Sequence, residues 1–236
     1  MIDDEPYAIP IPGFSEPVSA FTHLGGAGVF LILTWWLFKK GKGEHSRLIC
    51  LSVFAFTLVF LLSMSGVFHI LEPGTSGRAV LRRLDHAAIF TLIAGTFTPI
   101  HGILFRGPWR WGILLFVWVC AATGATLKSI FFETMPPWLG VVIYLGMGWV
   151  GLASAIKLNR RFSYSFIAPF VYGGIAYTIG AVCLGVLSLA GDPMLIPGVV
   201  GRHEVFHFAV LIGAAYHWAF VYSFADISSE TVTCLK

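Results

Sequence analysis

The sequence predicts an all-α polytopic membrane protein, a bundle of seven transmembrane helices. Composition is the first reason: 57% of the 236 residues are hydrophobic and 11% charged, where a soluble domain carries about 25% charged residues. Distribution is the second. The apolar residues form long runs bounded by short basic or Pro/Gly-rich loops, the pattern of helical spans. A chain of this length has room for seven such spans and little else. Its net charge of +3 reflects basic loops at a membrane surface, and the basic residues are too scattered for a nucleic-acid partner.

Residues 1–15 read as an acidic, Pro-rich leader, 16–226 as the seven-span domain and 227–236 as a polar tail. No basic segment with a small-residue cleavage site opens the chain, so the first span is expected to act as its own targeting signal. Span 1 is placed at Val18–Phe38, with Trp35 and Trp36 anchoring the interface before Lys39-Lys40-Gly41-Lys42. Span 2 is Leu48–Leu71, stopped by Glu72-Pro73-Gly74 because proline cannot continue a helix and glycine permits the turn. Span 3 is Arg83–Phe105, with Pro99 a kink. Span 4 is Trp109–Lys128. Met135-Pro136-Pro137 breaks the chain before span 5, which runs to Lys157. Span 6 is Phe166–Ala190, closed by Gly191-Asp192-Pro193, and span 7 is Gly201–Phe224.

Cys50, Cys120, Cys183 and Cys234 form no CxxC pair, and three lie in or beside apolar runs, as small core residues do. Gly25, Gly26, Gly28, Gly146, Gly148, Gly151, Gly173 and Gly174 lie inside spans, where small residues let helices approach closely in lipid. With seven spans, loops 1, 3 and 5 and the tail share one face and hold ten basic residues. The N-terminus and loops 2, 4 and 6 share the other and hold five. The positive-inside rule then puts the N-terminus outside the cytoplasm, and the expected location is the cell membrane.

Ionisable groups at membrane depth are costly and mark function. Glu16 and His23 open span 1, His69 closes span 2, Asp85 and His86 open span 3, and His203 and His207 open span 7. All fall on the N-terminal face, while the opposite end offers His45 and His101. His203 and His207 are four residues apart, so their rings share a helix face about 6 Å apart along the axis. They and His69 supply three imidazoles, which with an open position is the arrangement of catalytic zinc. Ser65 lies one turn before His69. Asp85 suits a general base or an orienting partner; its alternative role is an interfacial pair with Arg82 or Arg83. His203-Glu204-Val205-Phe206-His207 has the HExxH spacing, yet Glu204 points about 100° from His203 and ranks last among the catalytic candidates. A structural, hydrogen-bonded role is the alternative for each histidine, and the expected one for His217.

Ser65-Gly66-Val67-Phe68-His69, Asp85, and His203-Glu204-Val205-Phe206-His207, with Glu16 and Thr22-His23 in span 1, together resemble the hemolysin III and progestin/adipoQ receptor proteins, in the superfamily that includes alkaline ceramidases. The resemblance covers nearly the whole chain. It implies zinc held by His69, His203 and His207, with Asp85 at the zinc water and Ser65 supporting the site.

Two classes of function follow. One is a zinc-dependent intramembrane hydrolase, in which activated water attacks the carbonyl of a membrane lipid amide or ester. The other is a lipid sensor, receptor or membrane-damaging protein with structural zinc. Glu16, His23, His86 and Arg82 are candidates to support the metal site or hold a head group. Arg78 and Arg83 are further head-group candidates, with plain interfacial roles as the alternative.

Overall fold

The computed structural model describes residues 8–189 and 194–227. Seven helices run in order: α1 (Pro17–Lys40), α2 (His45–Phe68), α3 (Ser76–Leu104), α4 (Pro108–Ile130), α5 (Pro137–Asn159), α6 (Tyr164–Leu189) and α7 (Arg202–Ser223). All seven are long and apolar enough to cross a membrane. The shortest, at 22 residues, spans about 33 Å against a hydrocarbon core of about 30 Å. No strand occurs among the described residues; Ile11–Phe14 and Ile196–Val200 make isolated bridges. The chain is an integral membrane protein with an all-α fold. Residues 1–7, Ala190, the Gly191-Asp192-Pro193 stop and the polar tail from residue 228, with Cys234, lie outside the described residues.

Successive helices pack as neighbours, and α1 also meets α7, which closes the bundle. α3 touches α2, α4, α5 and α7 and is the most buried helix. Its core face includes Ala88, Leu92, Ile100 and Leu104. Indoles and aliphatic side chains such as Trp111, Leu115, Trp149 and Ile156 point outward, as a lipid solvent permits.

The largest displaced boundary is that of α3, which begins seven residues before Arg83. Gly74 turns the chain at φ +78°, and the Thr75 side chain then accepts from the Arg78 N–H at 3.3 Å, an N-cap that starts the helix early. Arg78 and Arg82, placed before span 3 by the sequence, therefore belong to α3 with Arg83. α2 ends three residues sooner than expected, with His69 as its C-cap. α3 continues through Pro99 to Leu104.

The glycine expectation holds at three of eight positions. An added Cβ would strike Leu211 at Gly26, press on Phe170 at Gly151 and strike His217 at Gly173. At Gly25, Gly28, Gly146, Gly148 and Gly174 it would meet nothing within 4 Å. These five face outward or into gaps, so close packing does not explain them. Cys50, Cys120 and Cys183 are free, half-buried thiols, the first two packed beside the core.

Candidate metal centre

Up-and-down topology brings the starts of α1, α3 and α7 and the end of α2 to one end of the bundle. His69, His203 and His207 meet there. The Nε2 atoms of His203 and His69 are 3.2 Å apart, and those of His207 and His203 are 3.0 Å apart. One ligand nitrogen from each lies within 4.8 Å of the others. Three imidazoles at zinc–nitrogen distances of 2.0–2.1 Å in a tetrahedral shell would sit about 3.3 Å from one another. The spacing and the all-nitrogen donor set thus fit one metal ion of that size. Converging nitrogen lone pairs also need a cation or proton between them.

Glu16 holds this arrangement from α1. Its carboxylate contacts His69 Nδ1, which leaves Nε2 facing the other two rings. Its backbone N–H donates to the His69 carbonyl at 3.0 Å, and Ser15 N–H donates to the Ile70 carbonyl at 3.3 Å. The other carboxylate oxygen of Glu16 accepts from Arg78 at 2.7 Å. Arg78 also donates to the Leu71 carbonyl and lies 4.6 Å from the Phe68 ring centroid. Glu16, His69 and Arg78 are all buried. A buried cation and a carboxylate thus brace one histidine, the outer-shell support that fixes ring orientation at metal sites.

Two further contacts join α1 to α7. His23 stacks on His207 with ring centroids 3.7 Å apart and planes 8° apart. Ser19 donates to Glu204 at 2.6 Å, and the other Glu204 oxygen accepts from Gly201 N–H at 2.8 Å. Both Glu204 carboxylate oxygens are thus engaged, one capping its own helix and the other bridging to α1.

Asp85 is buried on α3 and is not among the three residues that share ligand distance. Ser65 is buried one turn before His69, and its carbonyl accepts the His69 backbone N–H at 3.1 Å. His86 Nδ1 donates to the Arg82 carbonyl at 2.8 Å, and its ring meets Phe132, just past the end of α4, edge-on. Arg82 lies over that same Phe132 ring at 4.9 Å.

Arg78 corrects an expectation. It was a head-group candidate, but it is withdrawn into the Glu16 pair. Its role in the site was missed because the pair joins residues 62 apart; an arginine one turn into a helix beside an acidic helix start was the available signal. His217 has the structural role expected, donating from Nε2 to the Phe170 carbonyl at 3.1 Å.

Residues 14–218 match the haemolysin-III related family. Two relatives cover most of the chain. Hemolysin-3 of Bacillus cereus is 28% identical over 204 residues, 85% of this chain and 87% of that protein. A Hemolysin-3 homolog of Bacillus subtilis strain 168 is 29% identical over 171 residues, 71% of this chain and 78% of that protein.

Proposed function

The chain belongs to the haemolysin-III related family, and from that membership and its three-histidine centre we propose that it is a zinc-dependent intramembrane hydrolase of a lipid amide or ester. The observation that carries this reading is the convergence of the His69, His203 and His207 Nε2 atoms at a buried end of the bundle. Zinc, when bound, supplies an acidified water and a Lewis acid for a carbonyl. His69, His203 and His207 hold it, Glu16 keeps His69 Nδ1 occupied, and His23 orients the His207 ring plane. The Asp85 carboxylate is the proton acceptor on the α3 side, and Ser65 supports the site from α2. The lipid enters between helices from the bilayer.

In this reading the protein lies in the cell membrane, and the distribution of basic residues favours the N-terminus outside. Two of the five basic residues on that face do not reach the interface: Arg78 is buried against Glu16, and Lys128 is buried over Phe132 at 4.5 Å. The test is lipid mass spectrometry after incubating purified protein with a mixed lipid pool. A carbonyl lipid cleaved by the wild type and left intact by His207→Ala supports the reading. Full turnover by a zinc-free His207→Ala protein ends it.

The names of the Bacillus relatives favour a second reading, a membrane-damaging protein in which the metal is structural. It predicts leakage from liposomes at low protein density with no lipid product, and equal leakage from wild type and Asp85→Asn.

A further inference from the structure

At the end of the bundle away from the His69, His203 and His207 centre, a groove of about 410 Å³ lies between the start of α4 and the end of α5. Trp109, Ala153 and Ile156 form its apolar wall, and Lys157, Arg160 and Arg161 its rim. Ala153, Ile156 and Arg160 are exposed, so the groove opens outward, where the bilayer would lie.

Three observations separate it from an ordinary basic loop. The wall is braced from inside by His101, a fully buried residue in the last turn of α3. His101 donates from Nδ1 to the Trp109 carbonyl at 2.6 Å and accepts at Nε2 from the Ser154 hydroxyl at 3.0 Å. Its ring stacks on Phe97 and Phe105, so one side chain ties α3, α4 and α5 together behind the groove. The rim is registered to the wall, because Lys157 Nζ sits 4.2 Å from the Trp109 ring centroid, a cation–π contact. The rim charge is also uncompensated among the described residues. The described carboxylates on this face, Glu44 and Asp226, pair with Arg47 and Lys40; none pairs with Lys157, Arg160 or Arg161.

Three cations with no carboxylate partner among the described residues select an anion, and an apolar wall open to lipid selects one that carries hydrocarbon. We propose that this groove binds an anionic glycerophospholipid, its phosphate at Lys157, Arg160 and Arg161 and an acyl chain along Trp109, Ala153 and Ile156. The site is independent of the histidine centre and of any reaction there.

Native mass spectrometry of the full-length protein released from detergent, titrated with phosphatidylglycerol or phosphatidylcholine, tests it. Phosphatidylglycerol should be retained in preference to phosphatidylcholine, and millimolar inorganic phosphate should not displace it. Changing Lys157, Arg160 and Arg161 together to Gln should weaken retention at least about tenfold. Changing Lys39, Lys40 and Lys42 together to Gln removes the same charge from the same face and should change it less than about twofold. If the rim triple variant does not fold, Arg160→Gln alone, at an exposed position, should cost about fivefold. Equal losses in both triple variants, an unchanged Arg160→Gln, equal retention of phosphatidylcholine, or displacement by inorganic phosphate would each overturn the proposal.

Discussion

Glu16→Gln removes the one carboxylate that serves both His69 and Arg78. In the wild type one oxygen accepts from Arg78 at 2.7 Å and the other contacts His69 Nδ1, with all three residues at most 4% exposed. Breaking a buried ion pair by removing one partner costs about 3–5 kcal/mol. Arg78 keeps the Leu71 carbonyl and the Phe68 ring, so the loss should lie near the lower bound, about 3 kcal/mol. In a chain of this length that lowers Tm by about 6–12 °C. The second effect is on the metal: losing the group that orients a ligating histidine weakens binding about 10–100-fold. Thermal unfolding in detergent reads the first effect, and competition with a coloured zinc chelator reads the second. Arg78→Gln separates them, since it should destabilise by a similar amount while leaving the Glu16–His69 contact and most of the zinc affinity. A Glu16→Gln protein with unchanged Tm and unchanged zinc affinity would refute the reasoning.

Glycine substitutions should divide by what their Cβ would meet. Gly95→Ala runs into Thr57 and should cost about 1–3 kcal/mol, whereas Gly146→Ala meets nothing and should leave Tm unchanged or slightly raised; thermal melts of the pair check this. Glu204→Ala removes the α7 cap and strands the Ser19 hydroxyl. It should cost about 1–3 kcal/mol while zinc stoichiometry is retained, measured by chemical unfolding and metal analysis. Loss of zinc with an intact fold would instead make Glu204 part of the metal site.

The spans were legible because each buries apolar surface against both lipid and protein, so hydropathy runs mark them directly. The start of α3 was not, because its first two turns carry Gly77, Arg78, Arg82 and Arg83 and look like a loop; Thr75 as N-cap was the signal that counted. The three histidines were legible since two share a helix face and the third falls on the same end by topology. Partnerships between helices were harder. Nothing local in Glu16 or Arg78 names the other, and Ser19 and Glu204 are 185 residues apart. The same holds for glycine. Gly25 and Gly26 are neighbours in sequence, yet only Gly26 faces a packed side chain, because that depends on which direction each points in the assembled bundle.

Metal stoichiometry tests the central claim most directly. Elemental analysis of protein purified without chelators should find one zinc per wild-type chain and near-complete loss in His69→Ala, His203→Ala and His207→Ala. His86→Ala, whose ring turns away toward Phe132, should keep it. A wild type without metal after zinc reconstitution, or full zinc in all three ligand variants, would contradict the account.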